Sequence, residues 1–358
     1  MAGIKDVAKR AGVSISTVSN VLNDTKNVSD ELATKVRIAA KELQYQVDPV
    51  ARSMKRNETM TIGVITADMC GLFYPYVVKG IYDVATKYGY NVSIFDTNGS
   101  KDTLSGFVKE REGMRSFISN RVDGIIFCSM VPEEVADTYL KEVVSRGTGR
   151  KKTAFVSIER DFSQYGIDSV FTDSYKGAVK AASYLLNLRC RRIGHITGPV
   201  SFKVVQDRIK GYKNAMRGAG LPVDDTMMAN GDFTHQSGYL AMMALLEQMP
   251  DIDGVYVAND QMAIGACMAL KERGIAIPDD IKVIGYDNVF VASVVEPPLT
   301  TIHVRKREMG VQSAEALIRQ IKGGQKNGPA LRLELESSLI VRKSTEHNAP
   351  SDWILSEW

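Results

Sequence analysis

The chain has 358 residues, of which 44% are hydrophobic and 24% are charged, values typical of a globular protein and not of a disordered or fibrous one. Four widely spaced cysteines without a CxxC pair argue against a disulfide framework or a zinc site, and they favour a reducing, cytoplasmic location. We find no secretory signal pattern and no apolar run long enough to span a membrane. The first 60 residues hold ten Lys and Arg against seven Asp and Glu, whereas the rest of the chain is balanced, which suggests a small polyanion-binding module.

Three short helical patterns lie within residues 1–47, over 4–11, 15–22 and 30–43. Gly12 suits the left-handed residue that ends the first helix, and Ser14 and Ser29 suit the N-caps of the second and third. Two short helices joined by a three-residue turn that contains glycine are typical of a helix-turn-helix. The sequence therefore predicts a DNA-binding domain over 1–47, with a solvated helical hairpin in a small bundle as the alternative.

The second helix of such a motif enters the major groove of DNA. Its predicted outward positions are Ile15, Ser16, Thr17, Ser19 and Asn20. The short hydroxyl and amide side chains among them can reach phosphates or base edges.

Residues 48–60 predict a short hinge helix and linker. Asp48 suits an N-cap and Pro49 a first helical residue, but only about two turns follow, and a helix that short needs a partner surface. Basic side chains favour a phosphate-lined surface, and Met54 is the kind of apolar residue that wedges between base steps from the minor groove. The alternative is a flexible basic linker. The two interpretations are compatible if the linker is flexible in the free protein and folds into a helix on DNA.

The stretch IKDVAKRAGVSISTVSNVLND, followed by VSDELATKVRIAAKELQYQVDPVARSM, closely resembles the DNA-binding head and hinge of the lactose-repressor (LacI/GalR) family. That resemblance implies that Ile15, Ser16 and Asn20 read bases and that Ser14, Thr17 and Ser19 contact phosphates. It also implies a minor-groove hinge made of Val50, Ala51, Arg52 and Met54. Met54 stands where leucine is usual in the family, which leaves the geometry of the DNA kink open.

Apolar strands alternate with amphipathic helices through residues 61–344, in two series that resemble each other weakly. The predicted strands are 60–69, 91–96, 124–130, 154–158, 192–197, 255–259 and 282–286, with helices over 75–88, 101–120, 133–145, 203–219 and 261–273. This alternation predicts an α/β fold with parallel sheets in two lobes, and ligand contacts at the carboxyl ends of the strands. We expect the first lobe over about 61–158 and 300–322 and the second over about 159–299 and 323–344.

The motifs RIGHITGP, VANDQMAIGA, VIGYDN and PPLTTI extend the family resemblance over this region, and they imply a two-lobed body like that of periplasmic binding proteins. A pure sugar-binding protein is the rival interpretation for the body alone, but the DNA-binding head and the lack of an export signal argue against it. The tail, residues 345–358, carries both tryptophans, which suggests docking onto the body or a neighbour.

Six residues are candidates for binding a small sugar effector. The resemblance implies that Arg208 binds effector hydroxyls and that Phe233 lies against the face of the sugar. The alternative for Arg208 is a surface arginine that pairs with a residue on the same helix. Asn259 and Asp287 follow predicted strands and suit polyhydroxylated ligands, with helix N-capping as their alternative role. Phe73 and Tyr74 would contact the ligand from the first lobe, or else pack in its core. We expect Asp173 to cap a helix.

The chain lacks the common nucleotide-binding and hydrolase motifs, so we expect no enzymatic activity, metal or cofactor. The sequence predicts a homodimeric, sugar-responsive repressor that binds a pseudo-palindromic double-stranded operator, because one recognition helix reads only a half-site. Arg305, Lys306 and Arg307 suggest an alternative, in which a phosphoprotein corepressor docks on the first lobe, although a solvated helix end explains them more simply.

Overall fold

A computed structural model describes the protein over residues 2–23, 27–45, 58–98, 103–145, 153–323 and 328–350. The predicted hinge residues Val50, Ala51, Arg52 and Met54 and the last eight residues of the tail lie outside these ranges, so their roles stay predictions. Contacts divide the chain into two units, Met1–Met60 and Thr61–Trp358.

The first unit contains three helices: α1 (Ile4–Ala11), α2 (Ile15–Asn23) and α3 (Asp30–Glu42). They close on a small core of valines and alanines from all three helices, of which Val7, Val18 and Val36 are fully buried. Gly12 ends α1 in the left-handed conformation with φ of 66°, as the sequence predicts. Ser29 stands at the N-cap position of α3, but its side chain makes no capping hydrogen bond, so that prediction is wrong in its detail.

The second unit is built on two six-stranded sheets. The first sheet has the order β11-β5-β4-β3-β1-β2, with β1 (Thr61–Thr66), β2 (Asn91–Asp96), β3 (Gly124–Cys128), β4 (Ala154–Ile158), β5 (Asp168–Phe171) and β11 (Arg332–Glu334). The second has the order β12-β10-β9-β8-β6-β7, with β6 (Ile193–Thr197), β7 (Met228–Asn230), β8 (Gly254–Val257), β9 (Lys282–Asp287), β10 (Thr300–His303) and β12 (Ser338–Ile340). Among the described strands all pairings are parallel except that of β10 with β12, which is antiparallel.

Nine α-helices of the described second unit surround these sheets: α4 (Tyr74–Lys87), α5 (Thr103–Ser119), α6 (Glu133–Ser145), α7 (Ser174–Asn187), α8 (Lys203–Gly218), α9 (His235–Gln248), α10 (Asp260–Glu272), α11 (Phe290–Val294) and α12 (Lys306–Gly323). Strands such as β3 are buried along their whole length because helices cover both faces of the sheets. The predicted elements agree with these bounds to within a few residues, so the predicted α/β fold is confirmed.

The predicted lobe boundaries need correction. Strand β5 pairs with β4 in the first sheet, so the first lobe continues to Phe171 and does not end at residue 158. Strand β10 pairs with β9 in the second sheet, whereas α12 returns to pack on α4. Strand β11 then joins the first sheet and β12 the second. The chain therefore crosses between the lobes three times. The crossing points depend on which sheet the short strands pair with, and the hydrophobic pattern of the sequence does not show this.

Helices α9 and α10 approach each other closely through glycine. A Cβ atom added to Gly238 would lie 2.1 Å from the carbonyl oxygen of Met262, and one added to Gly265 would lie 1.9 Å from that of His235. Neither position has room for a larger residue. In the described part of the chain, no helix is both long and apolar enough to cross a membrane.

Candidate functional site

The N-terminal end of α2 carries a cluster of hydroxyl groups. The Ser14 Oγ accepts a hydrogen bond from the backbone N–H of Thr17 at 3.1 Å, which confirms Ser14 as the N-cap of α2. The same Oγ lies 2.7 Å from the Ser16 Oγ and 2.8 Å from the Thr17 Oγ1. Beside this cluster the Ile15 side chain is 45% exposed.

This surface agrees with the predicted outward face of α2. Ser16 is exposed, and Thr17, Ser19 and Asn20 are partly exposed, while Val18 on the opposite face is fully buried. Apolar burial thus fixes which side of the helix faces solvent. The arrangement offers hydroxyls, an amide and one apolar side chain to a groove of DNA.

A cavity of about 450 Å³ lies between the two sheets of the second unit. Its walls come from the carboxyl ends of strands in both lobes, the usual position of a ligand site in such folds. All six predicted effector residues line it: Phe73, Tyr74, Arg208, Phe233, Asn259 and Asp287.

Arg208 projects from α8 into the second-lobe wall of the cavity and is 7% exposed, so it is not a surface arginine. Its Nη1 donates to the carbonyl oxygen of Ala258 at 2.6 Å, and its guanidinium carbon lies 3.9 Å from the ring centroid of Tyr286. The buried Nε has no hydrogen-bond partner within the described residues. The guanidinium is therefore held rigidly at the cavity wall, and the protein does not use all of its donors.

Asp287 ends β9 beside Arg208 and is also 7% exposed. Burial raises the pKa of its carboxyl to about 7, although the positive charge of Arg208 opposes the rise. It is not a helix cap, because Val289 holds the N-cap position of the following helix, α11. Near neutral pH the Asp287 carboxyl can therefore accept or donate a hydrogen bond.

Asn259 follows β8 and caps α10, since its Oδ1 accepts from the backbone N–H of Met262 at 2.9 Å. Its Nδ2 donates to the carbonyl oxygen of Phe233 at 3.1 Å, which ties two cavity residues together. The Phe233 ring lies parallel to that of Phe202, with centroids 6.2 Å apart. Gly198 makes room for this ring, because a Cβ there would lie 2.5 Å from it. Asp173 caps α7, as predicted.

The first-lobe wall contains a hydrogen-bonded group of three residues, of which the sequence predicts Tyr74 but not Cys128 or Glu159. The Tyr74 hydroxyl donates to the Glu159 Oε2 and lies 2.9 Å from the Cys128 Sγ, which donates to the same carboxylate oxygen at 3.0 Å. Burial raises the pKa of the Tyr74 hydroxyl and of the Cys128 thiol well above their usual values, so both remain protonated donors.

The segment after β3 forms another part of this wall, and two charged residues hold it. Glu110 of α5 is fully buried and accepts hydrogen bonds from the Ser129 hydroxyl at 3.0 Å, the Met130 backbone N–H at 2.7 Å and the Tyr139 hydroxyl at 3.1 Å. Burial raises its pKa to about 7 despite these donors. From the other side, the Arg160 Nη1 donates to the carbonyl oxygen of Val131 at 2.6 Å.

Backbone conformation also marks this cavity. Glu159, Phe233 and Asp287 have φ values of 66°, 71° and 106°, a region that side chains other than glycine rarely adopt. Such residues concentrate at ligand and active sites, where the surrounding structure holds them. No pattern in the sequence signals these angles. Phe233 is predicted from the family resemblance and Asp287 from its place after a predicted strand, whereas no motif contains Glu159.

The predicted basic patch at residues 305–307 is not continuous. Lys306 is 5% exposed, and its ammonium donates to the backbone carbonyl oxygens of Asp287 and Asn288, the latter at 3.1 Å. Arg307 pairs with Asp83 at 2.8 Å. Lys306 therefore joins α12 to the end of β9, and the geometry gives no support to phosphoprotein docking. The described residues contain no group of His, Cys, Asp or Glu side chains suited to a metal ion.

Comparison with known proteins gives matches over both units. Residues 3–48 match the family model described as "Bacterial regulatory proteins, lacI family", and residues 182–345 match a "Periplasmic binding protein-like domain". The HTH-type transcriptional repressor PurR of Vibrio campbellii (strain ATCC BAA-1116) is 35% identical over 97% of this chain and 99% of its own. The ribose operon repressor of Escherichia coli (strain K12) is 34% identical over 96% of this chain and 100% of its own.

Solved structures agree with these relatives. The lac repressor dimer bound to operator and the anti-inducer ONPF superposes with a TM-score of 0.83 at 28% identity, covering 96% of this chain and 99% of that one. A complex of the transcriptional regulator CelR with cellobiose superposes with a TM-score of 0.68, also at 28% identity, covering 96% of this chain and 100% of that one.

Proposed function

The chain belongs to the LacI family of bacterial regulatory proteins, and from this premise we propose that it is a repressor of carbohydrate genes whose DNA binding is controlled by a small sugar or sugar derivative. The effector binds in the cavity between the lobes. The observation that carries this proposal is a pair of buried polar side chains in a 450 Å³ cavity, Arg208 from α8 and Asp287 from the carboxyl end of β9. A cavity of that volume holds a mono- or disaccharide-sized molecule.

The head binds DNA through α2. Ile15, Ser16 and Asn20 read base edges, and Ser14, Thr17 and Ser19 contact phosphates, supported by the exposure of the N-terminal end of this helix. One such helix reads a half-site, so the protein acts as a homodimer on a pseudo-palindromic operator, in the cytoplasm where operator DNA lies. The hinge, with Val50, Ala51, Arg52 and Met54, enters the minor groove.

Control by the effector is a shift between two populations. In one state the lobes keep the hinges of the two subunits together on DNA, and in the other the hinges separate and melt. An allosteric coupling of about 1–3 kcal/mol changes the affinity for the operator by about ten- to a hundred-fold.

Fluorescence anisotropy tests this proposal. The purified protein is titrated onto a labelled pseudo-palindrome from its own upstream region and onto a scrambled duplex, at fixed salt, with and without a panel of sugars. We expect an affinity for the palindrome about 10³-fold or more above the control, altered by one sugar. Equal binding to both duplexes, falling steeply with salt, would mean a charged head without sequence recognition and would favour a sugar-binding protein without a regulatory role.

A further inference from the structure

The charges around the cavity are unbalanced. Six carboxylates line it, those of Asp68, Glu133, Glu134, Glu159, Asp232 and Asp287, against only three cations, Arg160, Lys203 and Arg208. Such a count means little where side chains reach bulk water, because solvent screens exposed charges. The charges that matter are those held at the inner walls.

The three cations are already engaged by the protein. The Arg160 guanidinium donates to two backbone carbonyl oxygens and to the Glu133 carboxylate at 3.1 Å. Lys203 forms an ion pair with Asp207 one helical turn away. Arg208 donates to the Ala258 carbonyl oxygen and lies flat on Tyr286. No cation is arranged as a cluster that converges on an anionic ligand.

Two inner carboxylates, in contrast, lack a cation of their own. Neither Glu159 nor Asp287 forms an ion pair within 4 Å in the described residues. Glu159 comes directly after β4 in the first lobe, and its Oε2 is held by the Tyr74 hydroxyl and the Cys128 thiol, so its position is fixed. Its charge acts across the cleft, since it adds to the burial that raises the pKa of Asp287 and to the effect of Tyr286 and Asp287, which raise the pKa of Arg208.

We propose that Glu159 sets the charge class of the effector, so that the cavity accepts neutral polyols and excludes their phosphorylated and carboxylated forms. This inference rests on the proposed function, because it assigns a specificity role within the same cavity. A fixed carboxylate at the inner wall of the first lobe repels an anionic group on the ligand. Arg160 and Lys203 cannot compensate without leaving their own partners, and Arg208 lies on the second-lobe wall. The neutral hydroxyls of a polyol instead donate to the carboxylate.

Glu159→Gln tests the assignment because the amide keeps the size and one acceptor oxygen for Tyr74 and Cys128 while it removes the charge. Glu112→Gln on the exposed side of α5 is the control, since it removes the same charge outside the cavity. Isothermal titration of the full-length protein uses matched sets: ribose with ribose 5-phosphate and ribonate, glucose with glucose 6-phosphate and gluconate, and adenosine with its 5′-monophosphate.

We expect the wild-type protein to bind a neutral member and to bind its anionic forms at least about ten-fold more weakly. The repulsion between two unit charges about 5 Å apart, at an effective dielectric constant of about 20, corresponds to roughly a 300-fold loss of affinity, which solvent reduces. In Glu159→Gln we expect the ratio of the affinity for the neutral ligand to that for its anionic form to fall about ten-fold or more. In Glu112→Gln this ratio should be unchanged. A wild-type preference for an anionic member, or an unchanged ratio in Glu159→Gln, overturns the inference. If no member binds while operator binding persists, the proposed effector role itself fails.

Discussion

Glu110 offers a direct test of how burial shapes the wall of the cavity. Burial raises the pKa of its carboxyl from 4.5 to about 7, so between these pH values the folded protein holds a proton that the unfolded chain has lost. The free energy of unfolding therefore falls as the pH rises through this window. With 1.36 kcal/mol for each pKa unit, Glu110 alone lowers it by about 2.5 kcal/mol between pH 5 and pH 8.

Glu110→Gln removes this titration and keeps an acceptor for Ser129 and Met130. Urea unfolding followed by circular dichroism at pH 5, 6, 7 and 8 measures the stability of both proteins. The other buried acids, Asp260 and Asp287, are present in both, so their titration cancels in the difference. We expect the variant to gain about 2.5 kcal/mol over the wild type as the pH rises from 5 to 8.

Glu112→Gln, an exposed neighbour on the same helix, serves as the control and should follow the wild-type curve. A stability difference between Glu110→Gln and wild type that stays constant with pH would refute the reasoning, because it would mean that Glu110 is ionised over the whole range. A difference of the opposite sign would mean that its hydrogen bonds outweigh its burial.

Three further substitutions probe other parts of the structure. Arg208→Ala should abolish the effector response in the anisotropy assay and leave operator affinity within about two-fold of wild type; loss of both would mean that Arg208 holds the fold. Asn259→Ala should lower the free energy of unfolding in urea by about 1 kcal/mol, because α10 loses its cap. Asn259→Asp keeps the cap and should keep the stability. Equal losses in the two variants would contradict the capping role. Gly238→Ala should lower the free energy of unfolding by about 1–3 kcal/mol, because the added methyl group pushes α9 away from α10. Gly218→Ala at the open end of α8 is the control and should be neutral or stabilising. Equal melting temperatures of the two variants would disprove the close contact.

The sequence alone predicts the family, many of the helices and strands in their order, and the six cavity residues, because each follows from a local pattern, a motif or the family resemblance. Helix and strand bounds come from apolar periodicity and caps such as Ser14, which act over a few residues. The lobe assignment of β5 and β11 could not be predicted in this way. These strands have only three or four residues, and their place depends on which distant edge they pair with.

The same limit explains two residues whose surroundings the sequence does not predict, Glu159 and Lys306. Glu159 follows a strand without a motif around it, and its role depends on its left-handed backbone and on hydrogen bonds from Tyr74 and Cys128, which are far away in sequence. Lys306 reads as part of an exposed basic run, whereas tertiary contacts bury it. Local patterns give the position of a residue on an element, and only packing decides its surroundings.

The threefold crossing between lobes also constrains how the protein is made. A ribosome releases the strands of the first lobe from β1 to β5 early, but α12 and the edge strand β11 emerge only after every strand of the second sheet up to β10. Until then the core beneath α4 lacks the helix that covers it, and β5 has an unpaired edge. The first lobe therefore stays incomplete while the second lobe is synthesised. As a result, both lobes complete their folding near the end of translation.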